Sequence, residues 1–172
     1  LYIPGRGLSL EVTFSYNSAR SDRNLGYGNG WSASFGMMYQ VKEDTIVIDQ
    51  ADGKEDDFVW DGSQYLPPTG VYDELLENSG GELLLTSKYG IKYYFSDSYH
   101  KHITKIEDRN ENELNFTYSS GKLIQITDAS GRYLDFTWSN DQLSQITDPN
   151  SSPERTIEFL YDDGNLIELI NT

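Results

Sequence analysis

Apolar and polar residues alternate with period two along much of the chain. In "LNFTY", Leu114, Phe116 and Tyr118 are separated by Asn115 and Thr117. One side is apolar and the other polar, as in a half-buried β-strand. "LSLEVTFSYNS" places Leu8, Leu10, Val12, Phe14 and Tyr16 on one side and predicts a long strand. "WSASFGMMYQV" predicts another strand, and "TIVIDQADGKEDDFVW" a hairpin with "ADGK" at its tip. "YDELLEN" could form one helical turn, in a region broken by Pro67–Pro68 and Gly80–Gly81. No sustained 3.6-residue pattern is present.

The second half repeats. Ile103, Leu123, Leu143 and Leu166 open successive rows, at spacings of 20, 20 and 23 residues. Three residues on come Ile106, Ile126, Ile146 and Leu169, and Asp108, Asp128 and Asp148 close the first strand of each row. Leu114, Leu134 and Ile157 begin the second strand. Phe116, Phe136 and Phe159 follow, then Tyr118, Trp138 and Tyr161. The three extra residues of the last spacing fall in "PNSSPER", a turn. A weaker row upstream carries Ile91, Tyr93 and Phe95. Asp/Asn/Ser/Gly clusters separate the strands, as turns require. Two strands of about six residues and two turns of about four make about twenty. A propeller blade needs about 40.

The predicted class is therefore all-β: an antiparallel hairpin meander forming a curved sheet. Its repeat core is expected at Ile106, Leu114, Phe116, Tyr118, Leu123, Ile126, Leu134, Phe136, Trp138, Leu143, Ile146, Phe159 and Tyr161. Phe116, Phe136 and Phe159 are expected to stack as one ladder, and Tyr118, Trp138 and Tyr161 as another. A boundary near "ENSGGE" would divide a β segment at 1–82 from hairpin repeats at 83–172, unless one sheet runs through both. Such a ribbon has open edges and an uncovered apolar face. Either the N-terminal half lies over the sheet as a lid, or copies pair edge to edge.

Composition narrows the function classes. Thirteen Lys and Arg against 28 Asp and Glu give a formal charge of -15. That surface repels phosphates and anionic lipids, so no nucleic-acid partner and no membrane insertion are expected. No apolar run approaches the ~18 residues that cross a bilayer. Aromatic residues make up 13% of the chain, enough for a core despite a mean hydropathy of -0.60. With no cysteine, disulfides, thiol catalysis and Cys-based zinc sites are excluded. The opening "LYIPGRGLSL" has no leader pattern, and the chain reads as a piece of something longer.

Candidate chemistry is thin. His100 and His102 could face one side of a strand and hold a metal, but no third ligand stands near. Glu55–Asp56–Asp57 lies beside a hairpin tip, where charge is easily solvated. "DRNENE" and "DPNSSPE" look superficially like calcium loops, yet lack the required glycine. "GYGNG" is not a phosphate loop and reads as a turn; no G-x-S-x-G elbow occurs. The expectation is no catalytic residue, no metal and no cofactor.

Two features together resemble a known family. One is "PGRGLSLEVTFSYNSARSDRNLGYGNGWSASF"; the other is the repeated form clearest at "GKLIQITDASGRYLDFTW". The chain resembles RHS/YD-repeat proteins, which include bacterial polymorphic toxins, wall-associated proteins, Tc toxin shell subunits and teneurins. Asp128, Gly131 and Arg132 match the turn motif. Tyr118 and Tyr161 match the repeat tyrosine, where Trp138 departs. Gly121 and Gly164 match the repeat glycine, where Asp141 departs, and Glu111 stands where glycine is common. The resemblance implies a β ribbon spiralling into a hollow shell, which in several relatives encloses a C-terminal toxin domain. Three to four rows cannot close a shell. The implied role is a non-enzymatic scaffold fragment of a larger secreted or cell-surface protein, partnered by the rest of its own polypeptide. The alternative is a carbohydrate- or protein-binding β module using exposed Trp31, Trp60 or tyrosines.

Overall fold

The computed structural model describes residues 1–5, 7–96 and 101–172. Strands β1 (Tyr2–Ile3) and β2 (Leu10–Glu11) pair with each other, as do β3 (Phe14–Tyr16) and β4 (Trp31–Ala33). Every later strand among the described residues joins one antiparallel meander. Its strands are β5 (Met38–Lys42), β6 (Thr45–Asp49), β7 (Glu55–Trp60), β8 (Tyr65–Leu66), β9 (Glu74–Glu77), β10 (Leu83–Thr86) and β11 (Lys92–Phe95). They continue as β12 (Ile103–Glu107), β13 (Glu113–Ser119), β14 (Lys122–Asp128), β15 (Tyr133–Ser139), β16 (Gln142–Asp148), β17 (Arg155–Asp162) and β18 (Asn165–Asn171). The 14 strands bond in chain order without a crossover. The sheet is open. β5 touches the start of β12 through an isolated Met38–His102 bridge, and β18 is bonded on one side only.

The expected antiparallel meander is thus present, and it extends well upstream of the repeats. The turn at Asn78–Glu82 simply joins β9 to β10 within the same sheet. The N-terminal part departs from the sequence reading in three places. "LSLEVTFSYNS" is not one strand: the chain bends after Val12, so that β2 pairs with β1 and β3 with β4. "WSASFGMMYQV" splits likewise, at a turn closed by Gly36 N–H donating to Ala33 O (2.8 Å). "YDELLEN" forms β9, because pairing with β8 and β10 buries Leu75 and outweighs a weak helical preference. Only the first 37 residues act as a lid. They cover the apolar side of the repeat hairpins, with Phe14 against Phe159 (5.1 Å) and Phe35 against Phe136 (5.0 Å).

The three-residue step from Leu123 to Ile126 is explained by a β-bulge. Thr117 pairs with Gln125 but Tyr118 with Leu123, so Ile124 is the extra residue. Leu123 and Ile126 can then both point inward, although odd spacing would normally separate them. The same bulge recurs at Thr104, Ser144 and Ile167. It is a property of the repeat, and it bends each hairpin in the same way.

The expected aromatic ladders do not form. Phe116 faces Ile126 across the strand pair, and Phe136 faces Ile146. Equivalent residues of successive rows lie two strands apart, about 10 Å. Among the described residues no ring contact joins Phe116, Phe136 and Phe159, and lid aromatics pack on them instead.

The tight turns between rows place two residues at positive φ, as in type I′ hairpins. They are Ser120–Gly121, Asn140–Asp141 and Asp163–Gly164. The longer turn after Asp108 also needs one such residue. Glu111 has φ 62 where the equivalent Gly131 has φ 79. Glu111→Gly is therefore expected to stabilise the chain by about 0.5–1 kcal/mol, raising Tm by about 1–4 °C in a thermal melt.

Candidate functional site

The contact between lid and hairpins joins the N-terminal segment to the repeats. Three local devices make it, each tied to a repeat position.

The first is a carboxylate turn. Asp128 and Asp148 end β14 and β16, Asp108 directly follows β12, and all three are buried. Asp128 Oδ1 accepts from the N–H groups of Ser130 (2.8 Å) and Arg132 (3.0 Å), and its Oδ2 from Arg132 Nε (2.9 Å). Asp108 makes the same turn with Asn112 in place of the arginine (Nδ2 to Oδ2, 2.8 Å). Asp148 binds the guanidinium of Arg155, seven residues on, so the longer "PNSSPER" turn still closes on an Asp–Arg pair. Burial pushes the Asp128 and Asp148 carboxyls up, but the arginine and N–H donors outweigh it and hold both below the usual range. The calcium-loop likeness of these segments has this explanation: their carboxylates are filled by donors of their own turns.

The second device is an aromatic tip. Tyr118 OH donates to Ile103 O (2.9 Å), Trp138 Nε1 to Leu123 O (2.7 Å) and Tyr161 OH to Leu143 O (2.8 Å). Each bond runs from the end of a row to its first residue. The exchange of tyrosine for Trp138 keeps a flat ring with a donor at its tip. Burial raises the Tyr118 and Tyr161 hydroxyl pKa values, Tyr161 to about 12, so both stay protonated donors.

The third device is the glycine run of the lid. Gly26 O accepts from Leu143 N (2.8 Å), and Asn29 N–H donates to Gly164 O (2.9 Å). Gly26, Gly28 and Gly30 all have positive φ. A Cβ on Gly26 would lie 2.5 Å from Trp138, and one on Gly28 2.9 Å from Leu166. "GYGNG" is therefore more than a turn: it is a docking strip shaped to the hairpin ends. Asn24 adds a bond to Gly164 O, and Arg132 Nη2 reaches Pro4 O (2.7 Å).

All thirteen expected core positions lie in this packing. Nine are buried, while Ile106, Tyr118, Trp138 and Tyr161 are partly buried against them. Asp128 and Arg132 form the turn pair, with Gly131 at positive φ between them. His102 stacks on Tyr118 (5.6 Å), and His100 lies outside the described residues. One expectation fails at Glu55–Asp56–Asp57. Asp56 is only 3% exposed, because it shares the inward side of β7 with Phe58. Lys54 (2.6 Å) and Gln50 (3.1 Å) compensate it. Its neighbour Asp49 is held by Arg20 (3.3 Å) and Arg23 (2.6 Å).

On the outward side, Glu107 accepts from Lys92 (2.7 Å), Lys105 (2.9 Å) and Tyr94 OH (3.2 Å). The lysine bonds lower its pKa from 4.5 to about 2. A depressed folded-state value gives stability that is present above the unfolded pKa and lost as pH falls toward the folded one. Tm is therefore expected to fall between about pH 4.5 and 2, with Asp108, Asp128 and Asp148 contributing. Glu107→Gln should flatten that slope in pH-dependent melts; an unchanged slope would contradict the assignment.

Known proteins match the same two regions. Residues 1–58 match the family described as "Domain of unknown function (DUF6531)", and residues 118–153 match "RHS Repeat". The chain is 33% identical over 131 residues to the tRNA nuclease WapA of Bacillus subtilis (strain 168), covering 69% of this chain. It is 32% identical over 131 residues, again 69% of this chain, to the tRNA3(Ser)-specific nuclease WapA of Bacillus spizizenii. The chain spans about 5% of the length of these relatives. With a DUF6531 segment supplying the lid and RHS repeats supplying the hairpins beneath it, this chain belongs to the RHS/YD-repeat family.

Proposed function

We propose that the chain is a structural wall segment of a larger RHS-type protein, the opening of a hairpin array that forms a shell around, or presents, a C-terminal effector. The observation that carries this reading is the asymmetry of the sheet. The lid secures the apolar side of the hairpins, while β18 is bonded to β17 alone, with Ile167 63% and Leu169 49% exposed. An apolar edge strand is a template for another strand, and a further hairpin of the same bulged design fits it. Its partner is then the rest of its own polypeptide, with a secreted or cell-surface setting. Relatives named as tRNA nucleases align here over a small part of their length, so on this reading their catalysis lies elsewhere and this stretch is not enzymatic.

The test appends Ser130–Gln142 and then Leu123–Gln142 after Thr172, which completes the row that Leu166 opens and adds one more. Amides of β18 should exchange more slowly, and any self-association seen by light scattering should fall. Unstructured appended hairpins with β18 unchanged would overturn the reading. A second reading, a carbohydrate- or protein-binding module, is favoured by Trp60, 42% exposed with Tyr65 at 5.0 Å. Robust glycan-array binding lost in Trp60→Ala would support it and sink a purely structural role.

A further inference from the structure

A cavity of about 510 Å³ opens between the lid and the inward side of β7, β11 and β12. Small-molecule sites span ~300–1,000 Å³. Met37 and Ile106 supply apolar wall, and Gln50, Lys54, Asp56 and Tyr93 supply polar groups. Asp56 is buried on the same strand side as Phe58. An apolar side chain would pack there equally well, so a carboxylate marks this wall for polar contact. Lys54 Nζ lies 2.6 Å from its Oδ1, and Gln50 Nε2 donates to its Oδ2 (3.1 Å). The Asp56 bond does most to raise the Lys54 pKa, against burial, and the charges of Asp52 and Asp73 add to it. Lys54 therefore stays an ammonium donor.

Two further groups at the cavity have no partner of their own. The Tyr93 hydroxyl makes no hydrogen bond among the described residues. Burial, and then the charge of Asp73, raises its pKa, so it too stays a donor. Tyr72 is 72% exposed, and no other ring or cation lies on it among the described residues. Its ring is open at the cavity mouth.

These groups select a ligand class. The place for a cation is filled by Lys54. An anion would meet three lining carboxylates against two ammonium groups, on a chain of formal charge -15. A neutral, polyhydroxylated ring avoids both conflicts. Each hydroxyl donates and accepts, so one can bridge the Asp56–Lys54 pair and another accept from Tyr93. The C–H face of the ring is left for the apolar side of Tyr72.

We propose that this cavity binds a neutral saccharide, with Asp56, Lys54, Gln50 and Tyr93 pairing its hydroxyls and Tyr72 stacking on its ring. The cavity is separate from Trp60, Tyr65 and β18, none of which lines it.

The experiment titrates the 172-residue chain with maltose, cellobiose, lactose and di-N-acetylchitobiose. The backbone amides of Lys54, Asp56 and Tyr72 are followed by ¹H–¹⁵N NMR. At least one disaccharide is expected to give saturable shifts with Kd of order millimolar, as for a small ligand held by few contacts. Tyr93→Phe deletes only the hydroxyl and should weaken that binding about three- to tenfold. Tyr72→Ala changes an exposed residue outside the strands and should weaken it by a similar factor. Unmoved amides away from the cavity show that each variant keeps its fold. Trp60→Ala should leave the binding unaltered. No saturable shift with any of the four sugars up to about 100 mM would overturn the site. So would full binding by both Tyr93→Phe and Tyr72→Ala. Binding lost in Trp60→Ala but kept in Tyr72→Ala would place the sugar at Trp60 and overturn this cavity as its site. Tighter binding of D-glucuronate than of D-glucose would overturn the neutral class.

Discussion

Gly26→Ala is expected to destabilise the chain by about 2–6 kcal/mol, summing about 1–3 for backbone strain and about 1–3 for overpacking. The residue has φ 91, and an added Cβ would meet Trp138 at 2.5 Å and Asp141 O at 2.8 Å. Neither neighbour can yield easily. The indole is held by its bond to Leu123 O, and Asp141 O is main chain in a tight turn. The lid would have to lift, breaking the Leu143 N–H bond to Gly26 O. Gly81→Ala is the control, since Gly81 has φ 80 but nothing within 4 Å of the added Cβ. It should lose about 1 kcal/mol from backbone strain alone. Urea denaturation of both variants checks this, and equal losses would show that the glycine strip does not dock the lid.

Asp148→Ala is expected to cost about 2–4 kcal/mol, the range for stripping a buried acceptor from several donors. Asp148 is 1% exposed and accepts from Asn150 N–H (3.0 Å), Asn150 Nδ2 (2.7 Å) and the Arg155 guanidinium. Arg155 is 45% exposed and can turn to water, which keeps the loss below that of a fully buried broken pair. Asp108→Ala should cost less, because its turn is closed by Asn112 without an arginine. Chemical denaturation giving Asp108→Ala the larger loss would contradict the turn-clamp account.

The hairpins were legible because their information is local. Leu114, Phe116 and Tyr118 alternate within one strand, and the row repeats before any long-range contact is needed. The bulge was legible in principle: the odd step from Leu123 to Ile126 breaks period two and recurs in every row. The Asp–Arg clamp was half visible. Arg132 stands four residues after Asp128, but the longer turn hides Arg155, which aligns only from Ile157 backward. Trp138 departs from tyrosine in ring identity, whereas the property the three rows share is a donor at the ring tip. The lid's docking strip was not legible. Gly26 meets Leu143, and Asn29 meets Gly164, across more than a hundred residues, and no local pattern encodes those partners. Asp56 was misread for a related reason. Its fate follows from sharing a strand side with Phe58, a signal that the neighbouring acidic residues obscured.

Lid and hairpins are expected to form one cooperative unit, with an open edge at β18. Native-state amide hydrogen exchange tests it most directly, because it reads opening free energies residue by residue. The hydrogen-bonded amides of Asn29 in the lid and of Leu143 in β16 should open together, at the free energy of global unfolding, while β18 amides exchange far sooner. A lid that opens at much lower free energy than β16, or a β18 protected as strongly as β16, would contradict the account.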